Sequence, residues 1–204
     1  MRATYSLIGL FFIVLSVSAQ PSSTGINGQT YTNAELKFQI TFPDYWQIKS
    51  SGLGEKAADI GLEAPETIDR ASRVQINRSL ERVRVLLTAQ RLPEGASDPA
   101  FIQILAEDLS LNPQIKDAVD YFDAIRSQYL VMRLPGDFKY SETDAEKLGK
   151  MQFAFLDTET SAGKKRMYAT VRRGVAIVFT LSYSKPHDLK DFRDILAKGD
   201  LNLP

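Results

Sequence analysis

No cysteine occurs in the 204 residues, and His187 is the one histidine. The first absence removes disulfides and thiolate nucleophiles, so stability must come from packing. Together the two scarcities exclude the usual Cys/His zinc sites. A Ser-His-Asp arrangement would have to use His187. That residue falls in Pro186-His187-Asp188, where a helix start and a surface position are expected. An excess of either charge is also missing, with 25 basic residues against 25 acidic ones. Such a balance argues against nonspecific nucleic-acid binding. The chain has no P-loop, no G-x-G-x-x-G, no G-x-S-x-G and no EF-hand loop. An all-oxygen calcium or magnesium site stays open in principle, but no cofactor, no resident metal and no catalytic residue is expected.

Long apolar runs are scarce too. The one that stands out is Leu7–Val17, 11 residues, whereas a spanning helix needs about 20. Arg2 precedes it and Val17-Ser18-Ala19 follows it, which is the pattern of a cleavable secretory signal over residues 1–19 with Gln20 as the first mature residue. The expectation is an exported protein, bacterial periplasmic or extracellular, with no membrane span after cleavage. What remains, about 185 residues, suffices for one domain with a real core. Residues 20–30, rich in Ser, Gly and Thr, read as a flexible lead-in. Residues 31–204 read as the single domain.

Within that domain, Leu36, Phe38, Ile40 and Phe42 alternate with polar residues, which predicts a strand ended at Pro43-Asp44. Trp46 and Ile48 begin a second. Residues 52–81 carry a weak pattern, with a short strand expected at Val74–Ile76. Val83, Val85, Leu87 and Ala89 mark a further strand, followed by a turn at Pro93-Glu94-Gly95. Ala100–Glu107 fits helix or strand, and its Ile and Phe favour strand. Asp117 reads as an N-cap for a helix whose apolar face is Ala118, Phe122, Ile125 and Tyr129. Residues 139–147 read as a charged surface loop. Strands follow around Phe153, Ala169 and Val175–Tyr183, the last expected to be the most central. Arg173-Gly174 suits a tight hairpin. Pro186 opens a final helix with apolar Leu189, Phe192 and Leu196, and Gly199 stands at its C-cap. Hairpin-spaced strands with one-faced helices predict an α+β fold, an αβα sandwich around a mostly antiparallel sheet.

Residues Tyr31-x-Asn33-x-x-Leu36-x-Phe38-x-Ile40-x-Phe42-Pro43-x-x-Trp46 resemble the opening of PsbP-like domains, named for the extrinsic subunit of the photosynthetic oxygen-evolving complex. Tyr168, Gly174, Val175–Tyr183, Phe192 and Ile195-Leu196 resemble their ending. Lys37 and Tyr45 depart from it, since the family often has glycine there. The resemblance implies an αβα sandwich used mostly as a binding or assembly module, and it brings no ligand residues with it.

Several side-chain groups invite a chemical reading. Asp117, Asp120 and Asp123 are spaced three apart, and could serve acid–base work or simply complement a helix dipole. Glu142, Asp144 and Glu146 form a weaker acidic set. Arg73, Arg78, Arg82, Arg84 and Arg91 form one basic group, and Lys164, Lys165, Arg166, Arg172 and Arg173 another. If Arg73, Arg82, Arg84, Lys164, Lys165 and Arg172 share one face, they offer a surface for an anionic partner; otherwise they are the polar side of half-buried strands. Asn77-Arg78-Ser79 is a glycosylation sequon. Tyr31, Phe42, Tyr45 and Trp46 read as core and corner residues. Three functions remain: a non-enzymatic binding or assembly module using the sheet edge or the loops around 52–70, 136–148 and 158–165; a small-ligand carrier with a pocket near Trp46 and the mid-chain helix; and a carboxylate-only hydrolase. The partner or ligand is unknown at this point.

Overall fold

The structure, a computed structural model, describes residues 24–49, 56, 66–91 and 100–200. The expected signal peptide, its cleavage site and the turn at Pro93-Glu94-Gly95 lie outside the described residues. The first element corrects an expectation. Residues 24–30 are not a loose lead-in, because β1 (Gly25–Asn27) pairs antiparallel with β2 (Thr30–Asn33). The Gln29 side chain ties this turn inward, donating to the Pro43 and Trp46 carbonyls at 2.8 Å each. A polar composition reads as loop, yet here the polar groups are spent on backbone partners. β3 (Phe38–Thr41) completes a three-stranded sheet.

β4 (Trp46–Lys49) opens the large sheet. Next comes α1 (Arg70–Leu80), where a strand at Val74–Ile76 was expected. Asp69 caps this helix by accepting from the Ser72 amide at 2.8 Å. Only Ile76 of α1 is buried, so no 3.6-residue apolar stripe exists to be read from the sequence. The sequon Asn77-Arg78-Ser79 lies on this helix.

β5 (Val83–Arg91) and β6 (Phe101–Asp108) follow, the latter settling the ambiguous 100–107 stretch as strand. It pairs with neighbours on both edges, which supplies the β-sheet hydrogen bonds a helix would have made internally. α2 (Ala118–Tyr129) starts at the expected Asp117 cap, whose carboxylate accepts from the Val119 and Asp120 amides. The expected loop at 139–147 is instead β7 (Lys139–Tyr140) and β8 (Asp144–Leu148), both paired to β9 (Met151–Thr160). Lys139, Asp144 and Lys147 face water, as edge strands tolerate, and this hid the strand pattern. β10 (Gly163–Arg172) and β11 (Val175–Tyr183) form the predicted hairpin, and α3 (Pro186–Lys198) is the last helix among the described residues. Arg173 at φ 51° and Gly174 at φ 74° make the two-residue turn, the left-handed pair a right-twisted hairpin favours. Gly199 at the end of α3 has a φ of −63°, so its backbone is not the left-handed cap expected.

The large sheet runs β4-β5-β6-β11-β10-β9-β7, with β8 also on β9, and its pairs are antiparallel. β11 sits in the middle, as its continuous apolar run implied. One face packs against α3 and the small sheet through Phe38, Trp46, Phe153, Tyr168, Phe179 and Phe192. The other packs against α2 through Leu105, Phe122, Leu156, Ala169 and Val178. The fold is α+β, with helices on both sides of an antiparallel sheet.

Candidate functional site

Strand alternation aims successive β6 side chains at opposite faces. Ile102, Ile104 and Ala106 join the α3-side core, while Leu105 and Glu107 face α2. Glu107 thus carries a carboxyl group into an apolar layer, where it is 7% exposed. Tyr121, on α2, donates its hydroxyl to Glu107 Oε2 at 2.9 Å. Burial raises the Glu107 pKa from its ordinary 4.5, opposed by the Tyr121 hydrogen bond and the Arg82 charge. Tyr121 is held well above its usual 10.0, by burial first and then by the Glu107 charge. A buried carboxyl with a displaced pKa in a cleft is the physical mark of a functional candidate.

Two adjoining cavities share Glu107, Tyr121, Ile125 and Gln128. The outer one, about 400 Å³, lies between α1 and α2 and is lined by Gln75, Gln114, Gln128, Ser72 and Ser127 beside Ile76 and Ile125. The inner one, about 210 Å³, runs under α2 against the sheet, lined by Val83, Leu105, Phe122, Met132, Met167 and Val178. The arrangement offers amides and hydroxyls at the mouth, one acid at the floor and an apolar recess beyond. This is a pocket between sheet and helices, against the mid-chain helix as expected but not beside Trp46. Trp46 is 1% exposed and packs on Phe42 on the opposite face.

The predicted anionic-partner face does not exist as one surface. Lys164 and Arg172 lie at opposite ends of β10, eight residues or about 27 Å apart. Lys165 follows Lys164 directly and so points to the other face. Arg73 sits on α1, and Arg82 donates to the Asp108 and Arg78 carbonyls. Arg84 and Arg172 do approach one another's surroundings, because both flank Glu35: Arg84 pairs with it at 3.5 Å, and Arg172 lines a cavity that includes it. The three aspartates also separate in role. Asp117 caps α2, Asp120 accepts from the Lys116 amide at 2.9 Å, and Asp123 accepts from Thr143 at 2.7 Å. All three are exposed, so no cleft gathers them and the hydrolase reading on these residues fails. Among the described residues, no group of three or more His, Asp or Glu side chains is placed to hold a metal ion.

No protein-family model matches the chain, and no curated protein matches it significantly. Solved structures do. The solution structure of cyanobacterial PsbP from Synechocystis is similar over 90% of this chain and 98% of its own, at 13% identity and a TM-score of 0.48. A crystal structure from Bacteroides thetaiotaomicron is similar over 86% of this chain, at 10% identity and a TM-score of 0.45. The chain spans about half, 48%, of that protein's length. At this degree of overlap the functional reading rests on the chain's own geometry.

Several charged residues that looked available are spent internally. Arg166 forks onto Asp157, with Nε to Oδ1 at 2.7 Å, and lies 4.3 Å over the Phe155 ring. Tyr168 donates to Glu146 at 2.5 Å, and Arg193 of α3 pairs with the same carboxylate. Arg91 bridges Asp188 and Asp191. His187 stands on the surface 3.2 Å from Asp188, as a helix-start histidine should. Glu107 and Tyr121 were missed by sequence reasoning. The signal was there: an acid at an inward position of an alternating strand, and a tyrosine next to the apolar stripe of α2.

Proposed function

We propose that this chain is an exported, non-enzymatic binding module that holds a small amphiphilic amine in the cleft between α1 and α2. The observation that carries this is Glu107, a carboxyl buried at the junction of a polar mouth and an apolar recess. Taking a lone carboxylate out of water is costly unless a cation joins it. A ligand ammonium would supply that cation, and its hydrocarbon part would fill the recess beside Met132 and Met167. Amides of Gln75, Gln114 and Gln128 would take the remaining polar groups.

Titration calorimetry with hexylamine and with a panel of alkyl and aryl amines tests the reading. Affinity should rise with pH as Glu107 ionises. Glu107→Gln should weaken binding by about tenfold or more, near 1.4 kcal/mol. Wild-type protein that binds no amine below about 1 mM, or a Glu107→Gln variant that binds equally well, would sink it.

A second reading, assembly with a protein partner, draws on Ile68, Val74, Val119 and Leu130, which are 60%, 44%, 41% and 70% exposed around the same two helices. Cross-linking in the native host, followed by loss of the cross-link in Leu130→Asp, would favour that partner over the small ligand.

A further inference from the structure

Two of the described non-glycine residues have a positive φ: Lys37 at 53° and Arg173 at 51°. L-residues avoid this region because Cβ crowds the backbone, and bulky side chains have no local hydrogen bond to compensate. Both are cations, and both line the same cavity of about 240 Å³. Lys37 comes from the four-residue β2–β3 turn, and Arg173 from the β10–β11 turn. Arg172 adds a second guanidinium to the wall, while Leu36, Val175 and Ile177 make the apolar part. Among the described residues around this notch, Lys37, Arg84, Arg172 and Arg173 face the carboxylates Glu35 and Asp200, an excess of two positive charges. Burial, followed by the repulsion of Arg173, lowers the Arg172 pKa, so the wall is electrostatically crowded.

We propose that this notch binds a small oxyanion bearing an apolar group, a carboxylate or a phosphate on a short hydrocarbon chain. Guanidinium forks match such oxyanions in geometry as well as charge. The apolar wall accounts for the attached hydrocarbon. Lys37 and Arg173 hold unfavourable backbone conformations in tight turns that glycine or asparagine would fill more comfortably. Strain of this kind persists where the residue serves something other than the turn. The notch lies on the face of α3 and the small sheet, since Leu36, Val175 and Ile177 belong to that core. It is therefore separate from the Glu107 cleft across the sheet and does not depend on it.

The test sets affinity against stability. Octanoate and octyl phosphate are titrated into wild type, Lys37→Gly and Arg173→Asn by calorimetry, with 1-octanol as the uncharged control. The unliganded variants should melt higher than wild type, because each relieves a left-handed backbone. Both should bind the anions about tenfold more weakly. Octanoate against octyl phosphate distinguishes a carboxylate site from a phosphate site, and either confirms the notch. The proposal is overturned if neither anion binds wild type below about 1 mM. It is equally overturned if octanol binds as well as the anions, or if both variants bind as tightly as wild type.

Discussion

At the scale of single residues, Glu107 is the position where chemistry and stability meet. Its acid is buried with the Tyr121 hydroxyl at 2.9 Å. In the folded chain its pKa lies above the ordinary 4.5, chiefly through burial. Between those two values the folded protein keeps a proton that the unfolded chain has released. The contribution of Glu107 to stability is therefore fully present below the unfolded pKa and is lost as pH rises through the folded one. Thermal melts from about pH 4 to about pH 8 should show this loss in wild type and a flatter profile in Glu107→Gln. The glutamine carbonyl still accepts from Tyr121, so its advantage over wild type should grow toward neutral pH. Identical profiles for the two proteins would show that Glu107 titrates alike in the folded and unfolded chain.

Among the elements, α2 decides the shape of the candidate cleft. Its inner face, Phe122 and Ile125 with Ala118 and Tyr129, packs on the sheet, and its Gln128 edge lines the mouth toward α1. The helix is anchored at its start by the Asp117 carboxylate, 2.9 Å from the Val119 amide and 3.0 Å from that of Asp120. Asp117→Ala should cost about 1 kcal/mol, a fall of about 2–4 °C in Tm for a domain of this size. Asp117→Asn should recover most of it. If Asp117→Ala melts with wild type, the cap contributes nothing and the helix is held by its packed face alone. α1 is the contrasting element. It buries only Ile76, so tertiary contacts rather than its own pattern hold it. The 66–68 segment before it pairs with 131–133, through Ile68 N to Val131 O at 2.9 Å and Arg133 N to the Glu66 carbonyl.

For the whole molecule, the decisive contacts join parts distant in sequence. The β8–β9 hairpin turn presses on the end of α3: a Cβ on Gly149 would stand 2.1 Å from the Ala197 carbonyl oxygen, and Gly149 has a φ of 57°. Both the backbone conformation and the close approach demand glycine. Gly149→Ala should cost at least about 2 kcal/mol, lowering Tm by about 4–8 °C. Since Glu146, two residues before the end of β8, also pairs with Arg193 of α3, the loss should loosen the docking of α3, seen as faster amide exchange there. An unchanged Tm would mean that hairpin and helix move apart without cost.

How much of this was legible in the sequence differs by kind of information. Period-2 alternation at Leu36–Phe42 and Val83–Ala89, and the 3.6 period from Ala118 to Tyr129, are local and dictated strands and helix directly. So did Arg173-Gly174 for its turn and Asp117 for its cap. Elements with few buried residues, α1, β7 and β8, carry no such period, and β1 is written in loop-like residues. β1, β7 and β8 were decided by the strands they pair with, and α1 by the contacts made around it. The sites follow the same division. Sequence alone determined the antiparallel α+β class, the poverty in cysteine and histidine and the surface place of His187, because each depends on composition or on neighbours a few residues away. Only the tertiary structure set Tyr121 against Glu107, brought Lys37 to Arg173 from turns more than a hundred residues apart, and split Lys164 from Arg172 along one strand. The physical reason is that a pocket or a charged face is defined by which side chains a sheet's register and a helix's docking bring within a few ångströms, and neither is encoded in any short stretch of chain.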